Sequence, residues 1–172
     1  MHYLLLPLRR YADFSGRSRR LEFWLWALLN TVVAGILTVM ILMSVFDALA
    51  GLRDRAAAGE FDGLAGSELG YVDLNGDVFY VPPEILFRTV FEAMGVPGIL
   101  FLIYSVLLFI PNLAVSVRRL HDQDKSGWWI LIGFIPIVGG IWLLVLYLLD
   151  GTRGPNRFGP DPKEPPTSQI FT

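Results

Sequence analysis

The chain has 172 residues, 53% of them hydrophobic, a formal net charge of −2 and a mean hydropathy of +0.51. It is too apolar for a soluble domain, and too short for a second independent one beside its long apolar runs. With no cysteine, disulfides, thiolate metal sites, cysteine nucleophiles and a lipobox anchor are excluded.

Residues 1–22 form a basic segment, in which Arg9, Arg10, Arg17, Arg19 and Arg20 face only Asp13 and Glu22. An apolar run then covers residues 23–46. At helical rise such a run can cross a hydrocarbon core roughly 30 Å thick. Glu22 sits in its first turn, where a carboxylate complements the positive end of the helix dipole, and Trp24 and Trp26 follow at headgroup depth. Ala48-Leu49-Ala50 resembles a signal-peptide cleavage site. The apolar stretch is far longer than the roughly 7–15 residues of a signal core, so the run reads as a retained anchor. Ala27, Thr31 and Gly35 recur every four residues beside a row of Asn30, Ala34 and Thr38. Small and polar side chains at this spacing predict a helix-packing face, the plain alternative being chance in a helix rich in such residues.

Residues 47–94 are acidic: Asp47, Asp54, Glu60, Asp62, Glu68, Asp73, Asp77, Glu84 and Glu92 are opposed by Arg53, Arg55 and Arg88. Within this loop, residues 51–70 read as a glycine-rich mobile connector. Asn75-Gly76, between two short β-prone stretches, predicts a tight hairpin. Pro82-Pro83-Glu84 opens a helix whose Leu86, Phe87, Val90, Phe91 and Met94 form an apolar face suited to the outer membrane interface. Asp73 to Asp77 with Glu84 mimics the spacing of a calcium loop, but Val78 stands where that loop needs glycine.

The second run, residues 95–117, contains Pro111-Asn112. Proline frees a backbone carbonyl one turn earlier, around Leu107, which a neighbouring polar group can satisfy. Asn112 and Asn30 lie at similar depth, roughly 10 Å from the basic side, so the two amides can meet; alternatively each bonds its own helix. The third run, residues 128–149, is interrupted by Ile135-Pro136-Ile137-Val138-Gly139-Gly140. Its full length predicts a single kinked crossing, with a re-entrant hairpin as the alternative. Lys and Arg counts place the N-terminus and residues 118–127 in the cytoplasm and the acidic loop outside. Three crossings then put the C-terminus outside, although Arg153, Arg157 and Lys163 argue against that side.

The densest constellation is Arg118-Arg119-Leu120-His121-Asp122-Gln123-Asp124-Lys125, ahead of Trp128-Trp129. Arginines ending one helix and tryptophans opening the next are explained by topology and interfacial anchoring. Asp122 and Asp124 add little to orientation, so their presence among cations predicts ion pairs with Arg17, Arg19 and Arg20. Leftover cations, Lys125 among them, would attract anionic lipid headgroups at about 1 kcal/mol each. A metal site at His121, Asp122 and Asp124 lacks further ligands, and an acid/base dyad lacks a nucleophile or cofactor motif.

Three segments can then be compared together: residues 14–24 (FSGRSRRLEFW), residues 118–129 (RRLHDQDKSGWW) and residues 151–162 (GTRGPNRFGPDP). In this order they closely resemble the bacterial inner-membrane family called domain of unknown function 805, the YhaH-like proteins. The resemblance covers residues 11–30 and 113–162, so the outer loop looks like an insertion relative to shorter members. It implies a bacterial plasma-membrane protein and makes residues 150–162 part of the domain, with 163–172 as a tail. It supplies no catalytic residues.

The expected architecture is an all-α integral membrane domain over residues 23–149: three hydrophobic helices and a long extracytoplasmic loop bearing a β-hairpin and an interfacial helix. The expected role is a non-enzymatic scaffold or accessory subunit. It would use no cofactor and bind no nucleic acid, with anionic lipid and a second copy or a membrane complex as partners. The alternatives are an oligomeric transporter or channel component, and a lipid-modifying enzyme.

Overall fold

The computed structural model describes residues 5–61, 70–72 and 78–163. The elements are α1 (Leu6–Arg9), α2 (Arg20–Ala57), β1 (Gly70–Val72), β2 (Val78–Tyr80), α3 (Pro83–His121), a 3-10 helix (Gly127–Phe134) and α4 (Val138–Leu148). They divide into two compact units, Met1–Val32 with Ser105–Thr172, and Val33–Tyr104.

Two helices, α2 and α3, are long and apolar enough to cross a membrane, and none of the most apolar stretch of either is buried by the chain itself. A helix apolar all round is a lipid-facing or deeply buried element, and here the protein does not cover it. Both helices outrun the predicted spans. At ~1.5 Å per residue, the 38 residues of α2 reach roughly 57 Å. The acidic segment between them is therefore not a loop from residue 47 to 94, because α2 continues to Ala57 and α3 restarts at Pro83. The helix expected after Pro82-Pro83 is the first part of α3, marked off from the rest by non-helical backbone at Gly95 (φ −3°, ψ −111°).

Within Val33–Tyr104, Leu52, Ala56, Phe61 and Val81 form a small apolar core, packed by Ile85 and Leu86. Phe87 and Phe91 remain exposed. Arg55 closes the end of α2 with a forked pair to Glu60 (2.7 and 2.5 Å), and its guanidinium lies over the Phe61 ring. β1 and β2 pair antiparallel, Tyr71 opposite Phe79. The expected Asn75-Gly76 turn and the calcium-like residues Asp73 and Asp77 lie outside the described residues, as do residues 62–69 of the expected glycine-rich connector, whose residues 51–57 belong instead to α2.

In the other unit the third apolar run departs from the expected single crossing. It folds back on itself. The 3-10 helix starts at Ser126, whose hydroxyl accepts from the Trp128 amide, and the chain reverses over residues 135–137. Here Ile137 adopts positive φ (65°, ψ −61°), and the Val138 amide donates to the Pro136 carbonyl at 2.7 Å. This is a three-residue γ-turn, a strained conformation for a β-branched residue. α4 then returns against the 3-10 helix. The two ends of the run meet the same end of α3: Gly127 packs on Val117, and the Arg119 guanidinium reaches the Leu149 carbonyl. Proline and two glycines permit either a kink or a reversal. Reversal is favoured by close approach of the arms at Gly139, where an added Cβ would overlap the Ile132 carbonyl.

Gly140, beside it, has open space where a Cβ would stand. Gly139→Ala should therefore destabilise the protein by about 1–3 kcal/mol through overpacking, whereas Gly140→Ala should be neutral or slightly stabilising from better helix propensity. Thermal unfolding in detergent separates the two. Equal midpoints would mean that the arms do not pack as described.

Candidate functional site

The polar centre of the chain is built from the start of α2, the end of α3 and the segment after α4. Arg17, Glu22, Arg118, Arg119 and Asp122 are all buried. Asp122 Oδ1 accepts from Arg17 Nε at 2.9 Å and its Oδ2 from Arg119 Nη1. The rest of the Arg17 fork donates to the Gly154 and Thr152 carbonyls, both at 2.6 Å. Arg119 also donates to the Tyr147 and Leu149 carbonyls at the end of α4, where unpaired carbonyls and the helix dipole favour a cation. Arg118 donates to the Asp13 carbonyl at 2.9 Å and pairs with Glu22 at 3.4 Å. Its own carbonyl accepts the Ser18 amide. Three guanidinium groups thus meet two carboxylates, and the excess charge is offset by backbone carbonyls. Ser18 Oγ and Arg118 Nε are buried without a hydrogen-bond partner among the described residues.

The segment after α4 is strapped over this cluster. The Thr152 amide donates to the Asp122 carbonyl (2.8 Å), and Asn156 Nδ2 donates to the His121 carbonyl (2.9 Å). Phe158 stacks on His121 with ring centroids 3.8 Å apart, while His121 Nδ1 lies 3.2 Å from the Gly16 carbonyl. Gly151 is required at the crossing point, since a Cβ there would overlap the Asp122 carboxylate.

The expected partnerships are partly redrawn. Asp122 meets Arg17, but Asp124 pairs with Arg157 (3.1 Å), and Arg20 pairs with Asp150 (2.8 Å). Arg19 is half-buried. Lys125 Nζ lies 5.2 Å from the Trp129 ring centre. Asp124 has a local role as well. It takes positive φ (56°) at the end of α3, with the Lys125 amide donating to the Leu120 carbonyl and the Asp124 amide to that of His121. That bond pair is the Schellman helix stop, with aspartate at the left-handed position more often held by glycine. Asp13 is held at about 2, below the ordinary carboxyl value of 3.8, by hydrogen bonds from Ser15 first and Arg10 second. Its contribution is in place above the ordinary value and is lost only as pH falls towards 2.

Among the packing residues, Asn30 and Asn112 converge on Trp26: Asn112 Oδ1 accepts from its indole at 2.6 Å, and Asn30 Nδ2 donates to its carbonyl. The Leu107 carbonyl freed by Pro111 accepts from the Tyr11 hydroxyl at 2.5 Å. Among the described residues, the face of Ala27, Thr31 and Gly35 is largely open, with Thr31 and Gly35 exposed. Thr31 bonds back to the Ala27 carbonyl, and nothing approaches Gly35.

Sequence reasoning missed the Arg118–Glu22 pair, the capping of α4 by Arg119 and the strap contacts. The only local signal was the Arg119–Asp122 spacing of three, which places the two on one helix face. Asp122→Ala leaves two buried guanidinium groups without their shared partner and should cost about 3–5 kcal/mol. Asp150→Ala, at an exposed pair, should be nearly silent in the same unfolding measurement. Similar losses in both variants would remove the distinction between the buried cluster and its rim.

Comparison with known proteins adds a family to this geometry. The chain is 34% identical over 166 residues to the inner membrane protein YhaH of Escherichia coli K12, covering 96% of this chain and 100% of YhaH. It is 32% identical over 163 residues to the inner membrane protein YhaI of the same strain, covering 95% of this chain and 97% of YhaI. No solved structure matches. A family model described as a protein of unknown function, DUF805, matches residues 11–160, and the chain belongs to that family.

Proposed function

We propose that the protein is a small inner-membrane scaffold or accessory subunit, with α2 and α3 as its two crossings and a folded cytoplasmic cap made by the arginine cluster and its strap. The observation that carries this reading is the use made of the charges. Arg17, Arg118 and Arg119 are buried and direct their forks at groups of the same chain, so the chain's densest chemistry supports architecture and not a substrate. Location follows from the relatives named as inner membrane proteins. Orientation follows from the Lys and Arg excess flanking the apolar runs, which puts residues 1–22 and 118–127 in the cytoplasm and the acidic stretch outside. The strap bonds to Asp122 and His121, which supports a cytoplasmic C-terminal segment on the same reading. Cations at the rim, exposed Arg153 and half-buried Lys125, then face anionic headgroups.

The cysteine-free chain makes the orientation directly measurable. In Ala58→Cys, an impermeant maleimide should label intact cells whose outer membrane has been made permeable. In Lys163→Cys, it should label only after lysis. Labelling of Lys163→Cys from outside would restore the third crossing. The scaffold reading has its own test: purified protein in liposomes should give no ion or solute flux above protein-free controls, and flux would replace it with the transport reading.

A further inference from the structure

The hairpin formed by the 3-10 helix and α4 has dimensions that the cytoplasmic cap alone does not require. Its arms differ in length, 8 residues against 11. A 3-10 helix rises ~2.0 Å per residue and an α-helix ~1.5 Å, so both arms extend roughly 16 Å. That is about half of a hydrocarbon core roughly 30 Å thick. The tighter helix in the shorter arm lets both arms reach the same depth.

The apex carries apolar side chains that the chain leaves uncovered. Phe134 and Ile137 are each 83% exposed, and Ile135 and Val138 are exposed beside them. Its backbone is largely satisfied internally, as a low-dielectric surrounding demands. Ile135 donates to Ile132, Gly139 to Ile135 and Val138 to Pro136. Pro136 has no amide hydrogen and so leaves no donor of its own to satisfy. At the mouth, Trp128 is exposed and Lys125 lies against Trp129, the pairing of aromatic ring and cation that suits headgroup depth.

We propose that this hairpin is a wedge confined to the cytoplasmic leaflet, its apex embedded in acyl chains near the midplane and its mouth held by Lys125 against anionic headgroup phosphate. The proposal rests on the cytoplasmic placement of the cap. Lipid is the occupant because the arm length matches one leaflet, the exposed apex is wholly apolar and Lys125, beside the hairpin's opening turn, is a cation facing an anionic surface.

Spin labels on single cysteines at Trp128, Leu131, Phe134, Ile141 and Val145, in bilayers containing phosphatidylglycerol, test it through collision with oxygen and with a water-soluble nickel chelate. Depth should rise from Trp128 to a maximum near Phe134 and fall again through Ile141 and Val145, with no label beyond the midplane. Depth that increases along the whole run would overturn the wedge, as would labels near the apex that are immobilised and shielded from oxygen by a second copy. Nickel access at the apex would also overturn it, by showing water there. Separate labelling of Lys163→Cys distinguishes the failures: an outside tail removes the topology, whereas a cytoplasmic tail with the wrong depth profile removes only the wedge. Lys125→Gln should lower the retention of phosphatidylglycerol relative to phosphatidylcholine in native mass spectrometry, and unchanged retention would remove the headgroup contact.

Discussion

The sharing of Asp122 between Arg17 and Arg119 is the constraint on which the rest of this unit depends. Each ion buried away from water costs several kcal/mol, a cost recovered only when geometry and additional hydrogen bonds are good. The carboxylate has one oxygen for each arginine, and each arginine then needs further acceptors. Those lie on the Thr152, Gly154, Tyr147 and Leu149 carbonyls. The start of α2, the end of α3, the end of α4 and the strap are thereby fixed to one another by electrostatic necessity. Gly151 reflects the same constraint, as the point where the backbone passes too close to the carboxylate to carry a side chain.

Apolar packing could not do this work alone. The core beside the cluster is short, with Phe23, Trp26 and Val115 buried and the Tyr147 ring of α4 tilted against Phe23, centroids 4.5 Å apart. Beyond it, α2 and α3 expose apolar side chains all along their middle turns. In lipid such surface supplies no drive to associate, so packing geometry and hydrogen bonds carry helix association. Trp26, held by Asn112 through its indole and by Asn30 through its carbonyl, and Tyr11, bonded to the Leu107 carbonyl, are contacts of that kind.

Much of this was legible in the chain. The lengths of the first two runs announced α2 and α3, Pro111 pointed to an acceptor at Leu107, and acids placed among topological cations pointed to ion pairing at Asp122. What remained hidden had two causes. Partners such as Tyr11 for Leu107 or Thr152 for Arg17 lie far away in sequence, and no local pattern names them. The reversal at residues 135–137 was hidden because proline and glycine are tolerated in a membrane helix as readily as they make a turn. The deciding fact was steric, the approach of Gly139 to the Ile132 backbone, and that is visible only once the arms face each other.

The reversal and the arginine cluster explain each other. A helix crossing from Trp128 would carry its last carbonyls to the far side, leaving Arg119 buried with Asp122 alone and Arg17 without its strap acceptors. Turning back at Ile137 requires positive φ in a β-branched residue, a strain of about 1–3 kcal/mol. Leaving a buried arginine short of acceptors costs as much or more, and the returning chain supplies acceptors to two of them. The strained apex is sustained by the charges at the opposite end of the hairpin.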